Sequence, residues 1–234
     1  MTTTAVPVTS THLSGVFCDV DAAVAAAREA FLAFSDCFLA QRRTFIKAVR
    51  EAASQQERLE YMATAAVEET RMGNAHHKVL KNLYAATRTP GVEDLVMEAH
   101  QGDDGLTTLE YSPYGVIGAI TPTTNPTETI ICNTVGMLSA GNTVVFSPHP
   151  RARRLSAWLV DVLNRAMIEA GAPENLITLI AEPTPATTTA LINHPDITML
   201  VATGGPQIVN MVLSSGKKAI GAGSGNPPAV VDET

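Results

Sequence analysis

Two patterns of hydrophobic and polar residues divide the chain near residue 113. In the first part, apolar residues recur every three or four positions, which is typical of helices with one buried face. Asp19 or Asp21 can cap the first of these helices, and Gly73 ends the third. The pattern predicts helices at about residues 19–34, 37–53, 56–71 and 75–86.

From Pro113 onward, short runs of β-branched and apolar residues alternate with helical stretches. Strands of this kind, separated by helices, predict an α/β fold with a parallel sheet and right-handed crossovers. The strands are expected at about residues 115–120, 142–146, 176–180, 197–202, 217–221 and 228–232. The helices between them are expected at about residues 127–139, 152–170, 184–193 and 205–214.

The remaining stretches complete a four-part organisation. Residues 1–18 are rich in threonine and serine, and we expect them to be loose. Residues 19–101 form the predicted helical segment. Residues 102–112 hold a Gly-Asp-Asp-Gly turn followed by the strand-forming run LTTLEY, and residues 113–234 form the predicted sheet.

Composition excludes several classes of function. The 234 residues are 45% hydrophobic and carry a formal charge of −7, which argues against a nucleic-acid partner. No apolar run approaches the roughly 20 residues of a membrane span. The amino terminus lacks the basic and apolar regions of a secretory signal. Three widely spaced cysteines, Cys18, Cys37 and Cys132, favour a reducing cytoplasm over a disulfide framework.

The most informative stretch runs from Tyr114 to Pro150. It predicts a β-α-β unit with a polar, proline-containing turn, Thr121 to Pro126, at the carboxyl end of its first strand. Ligands bind at that end in open α/β sheets. The strings TPTTNPTETIICN, AGNTVVFSPHPRA, TGGP and AIGAGSGNPPAVVD make the chain, from about Gly15 onward, similar to the coenzyme A (CoA)-acylating aldehyde dehydrogenases. These include propionaldehyde and acetaldehyde dehydrogenases of bacterial microcompartments.

The resemblance implies a fold and an activity. The fold is a helical segment packed on a Rossmann-like cofactor-binding sheet, with residues 102–112 as an arm strand directed to a neighbouring subunit. The activity is NAD-dependent oxidation of a short-chain aldehyde to acyl-CoA through a cysteine thioester, with CoA as co-substrate. The resemblance also implies a homo-oligomer, located in the cytoplasm or inside a microcompartment with shell or cargo proteins as partners.

Asn125 is the first candidate catalytic residue. A side-chain amide at the end of a strand can donate to a developing oxyanion, and the family uses an asparagine of this turn for that purpose. The usual dinucleotide fingerprint GxGxxG is absent, since GAGSG at Gly221–Gly225 precedes a predicted strand rather than a helix. The family binds its dinucleotide without that fingerprint. The implied cofactor-binding residues are Thr121, Pro122, Thr123, Ser147, His149, Pro150, Thr203, Gly204, Gly205 and Gly223.

Two departures from the hydrolytic aldehyde dehydrogenases indicate the acylating branch. Their ribose-holding Lys-Pro-x-Glu element is replaced by Ser147-Pro148-His149-Pro150, and their general-base glutamate corresponds to Ala222-Gly223. No acidic residue lies between Lys218 and Val231. Without a base to activate water, a thiol can take the acyl group from the thioester.

None of the three cysteines matches the family's nucleophile, and Cys132 is expected to be a packed core thiol. We therefore expect the chain to be the amino-terminal portion of a longer enzyme and to be inactive alone. Two alternatives remain open at this point. One is the aldehyde half of a bifunctional aldehyde-alcohol dehydrogenase, or a glutamyl-phosphate reductase of the same fold. The other is a non-catalytic fragment that binds a nucleotide or assembles with other subunits.

Other polar clusters are weaker candidates. His76 and His77 are adjacent, so they face different sides of a helix, and no metal site is expected. Arg151, Arg153 and Arg154 either contact a phosphate of CoA or of NADP, or form a solvated helix start, which leaves NAD and NADP both open. Residues 1–14 have too few apolar positions, at Val6, Val8 and Leu13, for a convincing microcompartment-targeting helix.

Overall fold

The computed structural model describes residues 13–225 and 228–232 of the chain. Its helices are α1 (Val20–Ser35), α2 (Leu39–Ser54), α3 (Gln56–Thr70), α4 (Ala75–Arg88), α5 (Pro126–Ser139), α6 (Arg153–Glu169), α7 (Pro185–Asn193) and α8 (Pro206–Leu213). Its strands are β1 (Val16–Phe17), β2 (Glu98–Gly102), β3 (Gly105–Leu109), β4 (Val116–Ile120), β5 (Thr143–Ser147), β6 (Ile177–Ile180), β7 (Met199–Thr203) and β8 (Lys218–Ala222). Each predicted helix is confirmed within a few residues.

Six strands form one parallel sheet in the order β1-β6-β5-β4-β7-β8. The chain runs from β4 outward to β5 and β6, then returns to the other side of β4 for β7 and β8. The strand order therefore reverses between β4 and β7. A crevice opens beyond the carboxyl ends of the strands at such a reversal, and this is where open α/β sheets bind ligands.

Helices cover the central strands on both faces, which explains their continuous apolar runs. Every residue of β4, β5 and β6 is buried. Side chains of β5 alternate between two hydrophobic clusters: Val144 and Phe146 join one, and Val145 joins the other. The first cluster contains residues of α2 to α6 and of the second half of α1, and the second cluster contains residues of the first half of α1, of α7 and of α8.

Local signals set the ends of the elements beside the crevice. The Asp19 carboxylate accepts a hydrogen bond from the Ala22 amide at 2.8 Å, so Asp19 rather than Asp21 caps α1. Pro126 occupies the first turn of α5, where backbone N–H groups make no intrahelical hydrogen bond, so the helix loses no bond by having a proline there. After α5, the Asn142 side chain accepts from the amide of Tyr114 at 2.6 Å and that of Gly115 at 3.1 Å. These bonds tie the start of β4 to the start of β5.

Two expectations are wrong, and one strand was not predicted. Residues 13–18 are not all loose, because Val16 and Phe17 pair with Leu179 and Ile180 as an edge strand; residues 1–12 lie outside the described part. The strand predicted from LTTLEY is confirmed as β3, and it pairs in antiparallel fashion with β2, a strand that was not predicted. Residues 228–232 form no strand, and the side chains of Val230 and Val231 are exposed.

None of the helices in the described part of the chain is both long and apolar enough to cross a membrane.

Candidate functional site

A cleft of about 880 Å³ opens beyond the carboxyl ends of β4, β5, β7 and β8, at the reversal of strand order. We call it the main cleft. Its walls contain all eleven residues proposed from the sequence as catalytic or cofactor-binding: Thr121, Pro122, Thr123, Asn125, Ser147, His149, Pro150, Thr203, Gly204, Gly205 and Gly223. Residues separated by about a hundred positions in the chain are thus brought to one edge of the sheet.

The turn after β4 offers unpaired polar groups to the main cleft. The Thr121 amide donates to the Ser147 carbonyl at 3.1 Å, which holds the turn against β5. The Thr121 side chain is only 2% exposed, and its hydroxyl has no hydrogen-bond partner among the described residues. A buried hydroxyl without a partner costs free energy. A polar ligand in the cleft would supply the partner.

Asn125 occupies the N-cap position of α5 but makes no side-chain capping bond. Its carbonyl accepts from the Thr129 amide at 3.1 Å and from the Thr129 hydroxyl at 2.6 Å, so its backbone is fixed by the first helical turn. The Asn125 side-chain oxygen accepts a hydrogen bond from the ammonium group of Lys81 on α4. The amide side chain is therefore held from one side.

The five helices that follow strands of the sheet differ in how their amino termini are satisfied, and Asp19 caps the first of them, α1. Glu69 of α3 caps α6, because its carboxylate oxygens accept from the Arg154 and Leu155 amides, both at 2.9 Å. Thr184 caps α7. By contrast, α5 and α8 lack a side-chain cap, and both begin at the main cleft. Uncapped helix amino termini attract anionic groups.

The turn between β7 and α8 has room for a close approach to its backbone. The Gly204 amide donates to the Ala222 carbonyl at 3.1 Å, which joins this turn to β8. A Cβ atom at Gly204 would lie 2.8 Å from the Ile208 side chain, whereas one at Gly205 would meet no atom within 4 Å. Gly204 is thus required by packing, and Gly205 leaves open space in front of α8.

At the β5 end, the main cleft is polar but carries little charge. The Ser147 hydroxyl is buried and lies 3.3 Å from the Thr188 hydroxyl. His149 accepts a hydrogen bond from the Arg151 amide at its Nδ1 atom, at 3.1 Å, so its Nε2 atom carries the proton in the neutral ring. Burial, and then the charge of Arg151, lower the pKa of His149. No carboxylate or lysine occurs among the described residues that line this cleft.

A second cavity of about 790 Å³ lies on the other side of the turn after β4 and shares Asn125 and Thr203 with the main cleft. Its remaining walls come from α4, the segment after α4, and α5: Leu80, Lys81, Tyr84, Ala85, Arg88, Thr89, Pro90, Glu128, Thr129, Cys132 and Asn133. Sequence reasoning missed this cavity. The three- and four-residue spacing of its lining residues along α4 and α5 was the available signal.

Among the described residues that line the main cleft, there is no cysteine and no arginine of the cluster. The Cys132 thiol packs against the hydrophobic core, as predicted, and also lines the second cavity, where the Thr89 hydroxyl is 3.1 Å away. Arg153 pairs with Glu182, and Arg154 lies 3.8 Å from Glu69. His76 and His77 are exposed on α4, and no group of potential metal ligands occurs in the described ranges.

Comparisons with known proteins point to one family. The family profile described as "Aldehyde dehydrogenase family" matches residues 5–234. A curated relative from Salmonella typhimurium, "Propanal dehydrogenase (CoA-propanoylating)", is 47% identical over 94% of this chain and 47% of its own length.

Two solved structures are similar in sequence and in backbone. A Rhodopseudomonas palustris propionaldehyde dehydrogenase with bound CoA and an acylated cysteine is 57% identical, with a TM-score of 0.91, over 94% of this chain and 50% of that one. A propionaldehyde dehydrogenase from the Clostridium phytofermentans fucose utilisation bacterial microcompartment is 50% identical, with a TM-score of 0.88, over 92% and 49%. The chain thus spans about half the length of these relatives.

Proposed function

This chain belongs to the aldehyde dehydrogenase family, and from that membership we propose that it provides the cofactor-binding and oxyanion-stabilising part of a CoA-acylating aldehyde dehydrogenase. The proposed reaction is oxidation of a short-chain aldehyde, such as propanal, to its acyl-CoA. The observation that carries the proposal is the position of Asn125 between the main cleft and the second cavity. Two reactants on opposite sides of this turn would meet at its side chain.

The main cleft fits a nicotinamide dinucleotide. The uncapped start of α8, with open space in front of Gly205, suits the pyrophosphate. The unpaired Thr121 hydroxyl offers a polar contact near Asn125. Ser147 and the Nε2–H group of His149 suit the adenosine ribose, since no carboxylate lines this end. When bound, the nicotinamide ring supplies a hydride acceptor.

The same cleft suits CoA as the second occupant. The related Rhodopseudomonas palustris structure contains CoA, and its similarity covers 94% of this chain. Proline and threonine side chains such as Pro183, Thr184 and Pro185 make much of the wall uncharged. An uncharged wall of this kind accommodates the adenine of either NAD or CoA, and the two ligands would occupy the cleft one after the other.

The second cavity suits the aldehyde. When a thiolate adds to the aldehyde carbon, negative charge develops on the carbonyl oxygen. The Asn125 amide can donate to that oxygen, and a preorganised donor of this kind is worth about 2.7–4 kcal/mol in related acyl-transfer sites. Cys132 packs against the hydrophobic core and its sulfur accepts from the Thr89 hydroxyl, so the described residues provide no base to activate it as a nucleophile. We propose that the nucleophilic cysteine comes from the portion of the enzyme outside this chain.

The carboxylates of the described site favour transfer of the acyl group to a thiol over transfer to water, because none of them is placed in the main cleft to activate water. Hydrolysis needs a base to activate water, and no carboxylate lines the main cleft in the described residues. The nearest carboxylate to Asn125 that lines the second cavity is Glu128, which is buried and lies 3.8 Å from the Lys81 ammonium group. Its two oxygens are engaged by the Lys81 ammonium group and the Thr127 hydroxyl.

A microcompartment is a proposed location for the whole enzyme, with the cytoplasm around it as the alternative. The support is the similarity to the enzyme of the Clostridium phytofermentans fucose utilisation microcompartment. Short aldehydes are reactive toward amines and thiols, so enclosure would benefit a cell that makes them. Fractionation of the producing cells tests the location: recovery with purified shells supports it, and recovery only in the soluble fraction contradicts it.

Calorimetry on the chain tests the binding part of the proposal. We expect NAD and CoA to bind and to compete with each other. Gly205→Val should weaken NAD binding at least about tenfold, because its side chain fills the space in front of α8. The control Gly136→Ala, on the open face of α5, should bind NAD like the wild type. A chain that assembles with other subunits but binds neither ligand would instead be a non-catalytic assembly fragment.

A kinetic experiment tests the chemistry. The chain alone, mixed with NAD, propanal and CoA, should produce no NADH. The whole enzyme should produce NADH and propionyl-CoA in equal amounts, and Asn125→Ala should lower its kcat about 10²–10³-fold. Release of free propionate in place of propionyl-CoA, or turnover by the chain alone, would contradict the proposal.

A further inference from the structure

The Asn125 side chain must be turned in one of two ways. Its amide has a donor end, Nδ2, and an acceptor end, Oδ1, of nearly equal shape. Only the donor end can stabilise an oxyanion, while the acceptor end would repel it. The Asn125 backbone is fixed by Thr129, but these bonds leave the rotation of the amide undecided. A partner outside α5 has to choose between the two orientations.

Lys81 of α4 is that partner. An ammonium group only donates hydrogen bonds, so its bond to Asn125 requires the acceptor end to face α4. The Nδ2 end then points away from α4, and no acceptor for it occurs among the described residues. A cation at Oδ1 also polarises the amide, which makes the Nδ2–H group a stronger donor.

Lys81 is itself held in place by α5. Its ammonium group lies 3.8 Å from the Glu128 carboxylate, whose side chain is only 9% exposed while that of Lys81 is 50% exposed. The other Glu128 oxygen accepts from the Thr127 hydroxyl at 3.2 Å. The cation therefore lies between Asn125 and a fixed, buried carboxylate three residues further along the same helix.

A second lysine on the same face of α4 has a different task. The Lys78 ammonium group donates to the Thr124 carbonyl at 2.9 Å, and its side chain is buried. Burial lowers the pKa of Lys78, and the neighbouring Glu128 carboxylate opposes that shift. Lys78 thus fixes the backbone just before Asn125, whereas Lys81 contacts the side chain. The Lys78 contact therefore holds the backbone of the turn, and the Lys81 contact orients the side-chain amide of Asn125.

We propose that Lys81 is a positioning residue that turns the Asn125 amide so that its Nδ2–H group faces the aldehyde oxygen. This inference rests on the proposed function of Asn125. Lys81 does not line the main cleft, so it takes no part in holding the dinucleotide. It lies in the wall of the second cavity and acts on the reaction through Asn125.

A double-mutant cycle in the whole enzyme tests the inference. Lys81→Met should lower kcat about 10–100-fold, which is less than loss of the Asn125 donor itself. It should leave the KM for NAD and the melting temperature unchanged. Lys81→Arg, which keeps a cationic donor, should restore most of kcat. In an Asn125→Ala background, Lys81→Met should cause no further loss, because there is no amide left to orient. The control Lys47→Met, on the exposed face of α2, should behave like the wild type.

The outcomes separate the two proposals. A wild-type enzyme that makes no acyl-CoA contradicts the proposed function. An active wild type with unchanged kcat in Lys81→Met, or an equal loss with and without Asn125, overturns the positioning role alone. A readout without activity uses the chain labelled with nitrogen-15. Lys81→Met should shift the Asn125 side-chain amide resonances, and Lys47→Met should not; unchanged resonances in Lys81→Met would also overturn the role.

Discussion

At the scale of single residues, two glycines near the end of α5 differ in whether the fold requires a glycine at that position. Gly141 has a φ of +84°, and a Cβ atom on it would lie 2.7 Å from the Arg42 guanidinium. Gly136 lies inside α5, where a Cβ atom would meet nothing within 4 Å. The first glycine is required by its conformation and its neighbour, and the second only weakens the helix.

Alanine substitutions at these glycines should therefore shift stability in opposite directions. We expect Gly141→Ala to lower the free energy of unfolding by at least about 1–2 kcal/mol, from the left-handed conformation alone. Gly136→Ala should raise it by about 0.5–1 kcal/mol. Urea denaturation of the chain measures both. A Gly141→Ala variant as stable as Gly136→Ala would contradict the requirement for glycine at residue 141.

His149 gives a pH dependence of stability. Because its pKa is lowered in the folded chain, the unfolded chain binds the proton first as the pH falls. The stabilisation of the fold by neutral His149 is thus fully present above the pKa of about 6.5 that a histidine has in the unfolded chain. It is lost as the pH falls through the lower pKa of His149 in the folded chain. His149→Gln should be less destabilised than the wild type between pH 7.5 and pH 5, measured by denaturation at about these two values. A parallel loss in both proteins would assign the pH dependence to other groups.

Short sequence strings predicted residues that the structure brings together in one cleft. The eleven proposed residues meet in one cleft because they all follow carboxyl ends of neighbouring parallel strands. Lys81 and Glu128 were missed for a physical reason. Their position beside Asn125 depends on how α4 packs against α5, and a lysine in a helix with an exposed face gives no sign of such a contact. The roles of the eleven residues stay predictions until ligand binding is measured.

At the scale of whole elements, Glu69 links two helices that are far apart in the chain. It caps α6 from the end of α3, in place of a capping residue next to α6 itself. Caps are predicted from residues adjacent to a helix, so the sequence gives no reason to distinguish Glu69 from its neighbour Glu68. In the structure, Glu68 is exposed and Glu69 is largely buried by this contact.

Removal of this cap should destabilise the fold measurably. Glu69→Ala leaves the Arg154 and Leu155 amides without their acceptors, and we expect a loss of about 1 kcal/mol, within the range of about 0.5–2 kcal/mol for helix caps. Glu68→Ala serves as the matched control and should change stability by less than about 0.5 kcal/mol. Thermal or urea unfolding checks the difference, and equal losses would argue against a capping role.

The strands show that a sequence pattern does not predict which neighbouring strand a segment pairs with. Long buried strands such as β4 and β5 were predicted within a residue or two, because both faces are covered and the apolar run is continuous. The two-residue β1 is too short to give a period, and it exists only because β6 accepts it at the sheet edge. Residues 228–232 have a strand-like composition, but a strand also needs a neighbour to pair with.

At the scale of the whole molecule, the hairpin of β2 and β3 exposes apolar side chains. Every residue of both strands is exposed, and Leu106 and Leu109 are 67% and 52% exposed. A two-stranded hairpin is marginally stable by itself. We propose that a second copy of the protein covers it, in agreement with the arm expected from the resemblance.

Sedimentation of the protein tests this contact. The double substitution of Leu106 and Leu109 by aspartate should shift the species toward the monomer, because it places charge in the proposed interface. Leu32→Asp on α1 is the control, since Leu32 is also 61% exposed but lies outside the hairpin. If the wild type is already a monomer, or if both changes dissociate it alike, the hairpin is not the contact.

The pairing of β1 with β6 also sets an order of events during synthesis. Val16 finds its partner Leu179 roughly 160 residues further along the chain. At ribosomal rates of about 5–20 residues per second, the first strand emerges about 8–30 seconds before its partner is made. During that interval the sheet has no edge to receive it, and the apolar face of α1 has no β5 or β6 to cover. Among the strands of the described residues, β1 is thus separated from its partner by the longest interval of synthesis, and it is the strand on which a chaperone has most time to act.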